Sequence, residues 1–198
     1  VRLAPLELMR GLRDLKVVLK IPATEIKLTM AGGVGEISFN KSIYQPVIDF
    51  LSDHQIRTLG EVESHLATSR SDSGSQITLA QIAQSITLLL STHQVSLAQG
   101  DAVTKAAKAE SEALNAFLLD KAQYSNDVGY LASPVTGGGV NANRFEMLFL
   151  LAIKAGAAEP KSWAESAWRV LASQGHKLVN DGVTLESHQD NLNELTSK

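Results

Sequence analysis

The segment from Thr78 to Thr92 carries the most regular apolar stripe in the first half of the sequence. Its apolar residues recur at helical spacing, at Leu79, Ile82, Ala83, Ile86, Leu89 and Leu90. Thr78 and Gln81 form a capping-box pattern, in which side chains accept hydrogen bonds from the free amides of a helix start. The segment therefore predicts a long amphipathic helix. The alternating residues 94–99 that follow it predict an edge strand.

Earlier residues predict shorter elements. They are a helix over Leu6–Leu19, a β-hairpin of Ile26–Met30 and Glu36–Phe39 around the glycine-rich turn 31–35, a helix over Lys41–Asp53, and a helix that begins at the capping box Thr58–Glu61 and ends near Ala67. Pro46 fits its helix only if it lies in the first turn, because proline has no backbone N–H. The polar residues 67–76 predict an exposed loop.

Three helices followed by a strand are typical of a winged-helix unit. We therefore predict a winged-helix-like domain with a preceding helix over residues 1–100. Many such domains bind DNA, but the predicted recognition helix, 78–92, contains no lysine or arginine. Because basic side chains supply most of the affinity for a DNA duplex, we expect a protein contact rather than a nucleic-acid contact.

The residues after Gly100 predict an all-α domain over 101–198. It begins with a predicted helix over Lys105–Asp120, in which Ala106, Ala109, Ala113, Leu114 and Phe117 face inward, and continues with an irregular glycine-rich stretch 123–143. A buried helix over Phe145–Ala155, capped by Asn143 and Glu146, follows. The last predicted parts are a helix that opens at the capping box Ser162–Glu165 and can extend over 177–180, and a final helix capped by Ser187 or a neighbour. The whole chain is thus predicted to be mainly α.

The composition excludes several functional classes. The 198 residues have a formal net charge of -3 and are 44% hydrophobic, which is ordinary for a globular protein and unlike a nucleic-acid-binding one. No cysteine is present, so thiolate catalysis, disulfides and cysteine-bound zinc are excluded. The apolar runs are shorter than a membrane span. We expect a soluble, cytoplasmic protein, and Val1 in place of a methionine suggests a fragment of a longer chain.

Two glycine-rich segments have the composition of ligand-binding loops. Residues 32–35 precede a strand, whereas a dinucleotide-binding loop follows a strand and opens a helix, so a hairpin turn is favoured. Residues 137–139 lead to the helix start at Asn143, where free amides and Arg144 could hold an anion. We favour a plain backbone role there, because the lysine and hydroxyl partners of a phosphate loop are missing.

No group of residues predicts catalysis or metal binding. Glu61 and His65 lie one helical turn apart, but no third ligand is implied, so a surface ion pair is favoured. Ser133 lies outside a nucleophile-elbow pattern, and no residue is assigned as its base. Trp163 and Trp168 have a helical spacing that is more typical of a core than of a binding patch. We therefore predict no catalytic, cofactor-binding or metal-binding residue in this chain.

The C-terminal third resembles a bacterial protein family. The residues that carry the resemblance are Tyr130–Val135, Gly137–Val140, Asn143–Glu146, Leu148–Ala152, Trp163–Glu165, Trp168, Gln174–Val179, Gly182, Leu185–Glu186 and Asn191–Leu192. Together they resemble the C-terminal region of methyltransferases with a methyltransferase regulatory domain, a group that includes rickettsial-type protein lysine methyltransferases acting on outer-membrane proteins. The resemblance is best over Tyr130–Leu195. Over Glu36–Gln99 it extends only to the order of helices and strands.

The resemblance implies a non-catalytic region that regulates catalysis or contacts the substrate. In that family the chemistry belongs to a separate upstream domain that binds S-adenosylmethionine, and this sequence lacks the strand, glycine loop and helix of such a domain. We therefore expect the cofactor and the active site in sequence that precedes Val1, with that domain and a protein substrate as partners. The expected interaction residues are Tyr130, Ser133, Pro134, Asn143 and Arg144. A free-standing winged-helix interaction or transcription-regulatory module is the alternative.

Overall fold

A computed structural model of the chain describes residues 5–33, 35–69 and 76–197. The chain divides into two compact units, Val1–Val103 (unit 1) and Thr104–Lys198 (unit 2). Each unit has its own buried core. The sequence placed the division after residue 100.

Unit 1 contains helices and strands in alternation. Its described elements are α1 (Pro5–Asp14), β1 (Lys16–Leu19), a 3₁₀ turn (Ala23–Glu25), β2 (Thr29–Gly32), β3 (Gly35–Ser38), α2 (Lys41–Leu51), β4 (Arg57–Thr58), α3 (Leu59–Ser69), α4 (Leu79–Ser91) and β5 (Val95–Leu97). The three-stranded sheet has the order β4-β1-β5, and both pairings are antiparallel. In the middle strand, Val17 lies opposite both Arg57 and Leu97. β5 is therefore an edge strand, as predicted.

The helix predicted over Leu6–Leu19 is wrong in its last part. α1 ends at Asp14, and β1 takes the residues that follow. Along β1 the side chains are alternately half-buried and buried, and Val17 is 0% exposed. Two consecutive β-branched valines favour a strand, and pairing on both edges of β1 outweighs the helical spacing of the leucines.

Helices α2, α3 and α4 pack against one another around the core of unit 1. The long amphipathic helix is confirmed as α4; its buried residues are Leu79, Ile82, Ser85, Ile86 and Leu89. Both capping boxes predicted in unit 1 are present. At the start of α4, Thr78 Oγ1 accepts a hydrogen bond from Gln81 N at 3.3 Å, and at the start of α3, Thr58 Oγ1 accepts one from Glu61 N at 3.1 Å.

Pro46 lies in the second turn of α2 and not in the first, so that expectation is wrong. The helix begins at Lys41 after the N-cap Asn40, whose Oδ1 accepts a hydrogen bond from Ser42 N at 3.0 Å. Proline cannot donate to the carbonyl of Ser42, so α2 lacks one backbone hydrogen bond. Burial of residues on the same helix offsets this loss; they are Tyr44, Val47, Ile48 and Leu51.

The glycine-rich turn after β2 forms the predicted hairpin. β2 and β3 are antiparallel, with Gly32 opposite Gly35. Gly35 has a φ of +140°, which glycine adopts without steric cost. Val34 lies outside the described residues.

The loop predicted over 67–76 begins later than expected because α3 continues to Ser69. Residues 70–75 lie outside the described residues.

Unit 2 contains β-hairpins as well as helices. Its elements are α5 (Asp101–Ala122, which begins in the last residues of unit 1), β6 (Tyr130–Ser133), β7 (Gly138–Asn141), α6 (Arg144–Lys154), α7 (Pro160–Ser173), β8 (Val179–Asn180), β9 (Val183–Thr184) and α8 (His188–Thr196). β6 pairs with β7 and β8 with β9, both antiparallel. The prediction of an all-α second half is therefore wrong, while the prediction of a mainly α chain is confirmed.

Residues at positive φ form the turns of both hairpins in unit 2. Gly137 has a φ of +71°, and Asp181 and Gly182 have φ of +47° and +79°. Two consecutive residues at positive φ make the tight turn that joins antiparallel strands. The helix predicted to extend over 177–180 stops before Gly175, which has a φ of +73°, and the chain enters β8 instead.

Helices α6, α7 and α8 pack around a core that includes Leu148, Ala164, Ala167, Trp168, Leu171, Leu178 and Leu195. α8 begins at the predicted cap, where Ser187 Oγ accepts a hydrogen bond from Asp190 N at 3.0 Å. α7 begins at Pro160 and not at the predicted capping box, so that prediction is wrong. Proline suits the first helical position, because the N–H it lacks would have no partner there.

Two helices of unit 2 expose apolar faces that the sequence predicts to be buried. On α6, Leu150 and Ile153 are 40% and 44% exposed. On α5, all the residues predicted to face inward are exposed: Ala106, Ala109, Ala113, Leu114 and Phe117. The covered face of α5 carries Asn115, whose side chain bonds to both backbone groups of Ala132 in β6. A polar residue with a backbone partner thus takes the inward position.

None of the described helices is long and apolar enough to cross a membrane.

Candidate functional site

The hairpin β6-β7 and the start of α6 contain the five residues that the sequence selects for interaction. Tyr130 is the first residue of β6 and is 62% exposed. Its side chain lies over Gly139 in β7, since a Cβ on that glycine would lie 3.3 Å from the Cβ of Tyr130. Gly139 therefore leaves room for the tyrosine, which stays largely in solvent and available for contact.

Ser133 is the last residue of β6, and Pro134 begins the turn that leads to β7. Ser133 Oγ accepts a hydrogen bond from Thr136 N at 3.2 Å, and the Ser133 carbonyl accepts one from Gly137 N at 2.9 Å. Pro134 is half-buried in the same turn. Both residues shape the hairpin, and turn closure accounts for the position of the serine hydroxyl.

Asn143 caps α6. Its Oδ1 accepts a hydrogen bond from Glu146 N at 3.0 Å, and Glu146 Oε2 accepts one from Asn143 N at 2.6 Å. This reciprocal pair satisfies two amides of the helix start that lack helical partners. The predicted cap is confirmed, and the side chain of Asn143 has a structural role that needs no ligand.

Arg144 joins the end of α5 to the end of α7. Its Nε donates to Ala122 O and its Nη2 to Gln123 O, both at 2.8 Å. Nη2 also donates to Gln174 Oε1 at 2.7 Å, and Nη1 donates to Asn126 Oδ1 at 3.3 Å. The guanidinium therefore lies at the carboxyl end of α5, where the helix dipole favours a cation.

Residues 137–139 do not form an anion loop with this arginine. Gly137 lies in the hairpin turn, and Gly138 and Gly139 are in β7. The donors of Arg144 are directed at carbonyl and amide oxygens of the chain itself. An anion would have to compete with those contacts. The structure therefore favours the backbone role for these glycines.

The exposed face of α4 carries no charge. Its exposed residues are Ala80, Gln84, Thr87 and Ser91. Beside this face lies a groove of about 270 Å³, lined in part by Phe39, Tyr44 and Leu88. The rings of Phe39 and Tyr44 are stacked at 4.9 Å, and burial raises the pKa of the Tyr44 hydroxyl. Neutral and partly apolar surfaces of this kind suit a protein segment better than a phosphate backbone.

Glu61 and His65 have partners other than a metal. Glu61 Oε2 accepts a hydrogen bond from Thr58 N at 2.6 Å, and the hydrogen bonds from Thr58 hold the pKa of Glu61 below its usual value. The ring of His65 is stacked on that of Phe50 at 4.1 Å. Among the described residues, no group of three or more His, Cys, Asp or Glu could hold a metal ion.

The two tryptophans contribute to the interior of unit 2. Trp168 is 7% exposed and belongs to the core. Trp163 is half-buried, and its Nε1 donates a hydrogen bond to Ala157 O at 2.8 Å. The core interpretation of these aromatic residues is confirmed for Trp168.

Sequence reasoning missed two surfaces of unit 2. One is the exposed side of α5, where Phe117 is 66% exposed, with Tyr124 (76%) just beyond the helix end. Their seven-residue spacing is a signal that could have marked this side as a helix-pairing face. The other is an open groove of about 560 Å³ between α7 and α8, lined by Lys161, Glu165 and Gln189 among others. No sequence pattern marks that groove.

Comparison with known proteins finds a similar protein in Synechocystis sp.. The chain is 31% identical over 193 residues to the uncharacterized protein sll1526 of Synechocystis sp.; the match takes in 98% of this chain and 36% of that protein. The chain therefore spans about a third of the length of this relative. No protein-family model and no solved structure matches the chain.

Proposed function

We propose that the chain is a non-catalytic region of a cytoplasmic, S-adenosylmethionine-dependent methyltransferase that modifies proteins. In this proposal the region regulates catalysis or contacts the substrate, and another domain of the same protein binds the cofactor. The resemblance over Tyr130–Leu195 is the starting point. The relative in Synechocystis supports it, because about two thirds of that protein lies outside the match and has room for a further domain.

One structural observation carries the non-catalytic part of the proposal. Every strand pairing among the described residues is antiparallel, and the largest sheet there has three strands. A doubly wound S-adenosylmethionine domain needs a parallel sheet, with the ligand outside the carboxyl ends of the strands. The described part of the chain is built on a different plan, and we assign it to regulation or contact.

The residues that carry the resemblance support a shared framework for unit 2. Asn191 is 1% exposed; its Oδ1 accepts a hydrogen bond from Leu178 N, and its Nδ2 donates to Leu185 O. Arg144 and Gln174 join helix ends in the same way. These polar residues hold the fold. The contact with substrate or catalytic domain is therefore assigned to the exposed part of the motif, with Tyr130 at its centre.

For unit 1 we propose a winged-helix-like arrangement. Helices α2, α3 and α4 support it, with β4 between the first and second helix and β5 after the third. The middle strand departs from the usual order, since β1 precedes all three helices. This arrangement favours the second candidate function, a free-standing winged-helix interaction or transcription-regulatory module. The uncharged face of α4 then favours a protein partner over DNA.

Methyl transfer by the complete gene product tests the proposal. The product would be compared with a version that lacks residues 1–198 and with Tyr130→Ala, using labelled S-adenosylmethionine and protein acceptors. We expect both altered proteins to bind the cofactor and to transfer methyl groups at a changed rate. A complete gene product that binds no S-adenosylmethionine contradicts the proposal. Transfer that is identical in all three proteins contradicts the regulatory role.

A further inference from the structure

Helix α5 carries an exposed stripe on the side away from the core of unit 2. This α5 stripe consists of the exposed residues Glu110, Leu114, Phe117 and Lys121, of exposed Tyr124 in the turn after the helix, and of half-buried Ala107 at its other end. The positions alternate steps of three and four residues, which keeps them on one side of a helix. Leu114 is 49%, Phe117 66% and Tyr124 76% exposed. Large apolar side chains exposed together are typical of an interaction surface.

The opposite side of α5 fixes the direction in which the stripe points. Leu119 and Ala122 are 8% and 1% exposed. Asn115 Nδ2 donates to Ala132 O at 2.8 Å, and Asn115 Oδ1 accepts from Ala132 N at 2.7 Å. Rotation of the helix to bury Phe117 would break these contacts and expose the leucine. The α5 stripe therefore needs a partner from outside unit 2.

The α5 stripe of one copy is complementary to the α5 stripe of a second copy that runs in the opposite direction. When two copies lie antiparallel and cross between residues 115 and 116, Leu114 of each copy faces Phe117 of the other. In the same register, Glu110 of each copy faces Lys121 of the other, so two opposite-charge pairs flank an apolar centre. Ala107 faces Tyr124 at the two ends, where a small residue leaves space for a ring. A parallel pairing would instead place like charges against each other.

Both charged groups are available for this pairing. Within the described part of the chain, Glu110 forms no ion pair, and Lys121 forms one long contact with exposed Asp127 at 3.9 Å. Ala106 and Ala113, which border the α5 stripe, are exposed and small. Small residues at the border let two helix axes approach closely. Charge, shape and register thus all favour the same partner.

We propose that the α5 stripe binds the α5 stripe of a second copy of this chain, antiparallel and about a two-fold axis. Two-fold symmetric dimers are the commonest oligomers, and such an interface uses the same patch on both copies. The helical part of the stripe, from Ala107 to Lys121, is about 21 Å long. An interface of one helix pair is smaller than that of a permanent dimer, so dissociation constants in the micromolar range, roughly, are expected.

Sedimentation equilibrium of the 198-residue chain over a series of concentrations tests the proposal. The wild-type chain is expected to pass from monomer to dimer. Phe117→Asp, at a position that is 66% exposed, should abolish the dimer without unfolding the chain. Glu110→Lys and Lys121→Glu should each raise the dissociation constant about tenfold, because each replaces two attractions by two repulsions. Lys105→Glu, on another side of α5, is the matched control and should leave association unchanged.

Mixing the two charge variants tests the antiparallel register. In a mixed dimer, the lysine introduced by Glu110→Lys in one copy faces the glutamate introduced by Lys121→Glu in the other. At the second contact, native Lys121 of the first copy faces native Glu110 of the second. The mixture of Glu110→Lys and Lys121→Glu should therefore associate more tightly than either variant alone, and the double variant should recover wild-type association. A wild-type chain that is monomeric at every concentration, a dimer that survives Phe117→Asp, or a mixture with no recovery overturns the proposal.

Discussion

Trp168 Nε1 donates a hydrogen bond to His188 Nδ1 at 2.6 Å, and the two rings meet edge to face at 6.0 Å. The contact joins the middle of α7 to the first residue of α8. His188 can accept this bond only while its Nδ1 carries no proton. The hydrogen bond between the buried indole and the start of the last helix thus requires an unprotonated Nδ1 on His188.

Replacement of His188 by alanine should destabilise unit 2. The part-buried indole N–H of Trp168 would lose its acceptor, which costs about 1 kcal/mol. Urea unfolding followed by tryptophan fluorescence measures this, because both tryptophans of the chain belong to unit 2. His176→Ala, at an exposed position, is the control and should leave the midpoint nearly unchanged. Equal midpoints for the two variants would show that the hydrogen bond contributes nothing.

Arg144→Ala should lower the stability of unit 2 by about 2 kcal/mol, because two backbone carbonyls and Gln174 lose a charged donor. Arg144→Lys should recover less than half of the loss, since one ammonium group cannot replace a planar guanidinium that donates in several directions. The same fluorescence measurement applies, with Arg169→Ala at an exposed position as the control. Unchanged stability in Arg144→Ala would show that these hydrogen bonds do not stabilise unit 2, and would favour a ligand-binding role for this arginine.

The capping carboxylate of Glu61 makes the stability of unit 1 depend on pH. Its pKa is lowered in the folded chain, mainly by the hydrogen bond from Thr58 N. Its contribution is therefore full near neutral pH and is lost as the pH falls through the lowered pKa. The stability difference between wild type and Glu61→Gln should shrink in acid, as measured by urea unfolding and circular dichroism. The neutral capping box at Gln81 provides the control: the effect of Gln81→Ala should be the same at every pH, and a constant difference for Glu61→Gln would refute the assignment.

The face of α4 should not bind duplex DNA. Its exposed residues are uncharged, and counterion release by lysine and arginine is the main source of duplex affinity. Gel-shift titrations at low salt should show no retarded complex. A complex that weakens steeply as salt is added would support the transcription-regulatory alternative over the contact with protein.

The predictable part of the fold is the part set by local chemistry. Thr58, Thr78, Asn143 and Ser187 each cap the helix that the sequence predicts, because a cap involves residues only a few positions apart. β1 is different. The leucines from Leu8 to Leu19 do recur at helical spacing. The partners of β1, Arg57 and Leu97, are far away in sequence, and only the pairing on both sides makes this segment a strand.

The candidate site was predictable in position more than in role. The sequence selects the hairpin residues Tyr130 and Ser133, and the cap Asn143 and Arg144. It does not reveal that Arg144 donates to the end of α5 and to Gln174, since those partners come together only when three helices pack. The same limit explains why the sequence predicts the wrong buried face for α5. Periodicity selects the apolar side, while Asn115 and its bonds to Ala132 decide which side turns inward.

Calorimetric titration with S-adenosylmethionine tests the proposed division of labour most directly. The titration would be made on this chain and on the complete gene product under the same conditions. We predict saturable binding, with one cofactor per catalytic domain, to the complete product and no binding to the chain alone. Saturable binding to the isolated chain, or no binding to the complete product, would contradict the assignment of this chain to a non-catalytic region of a methyltransferase.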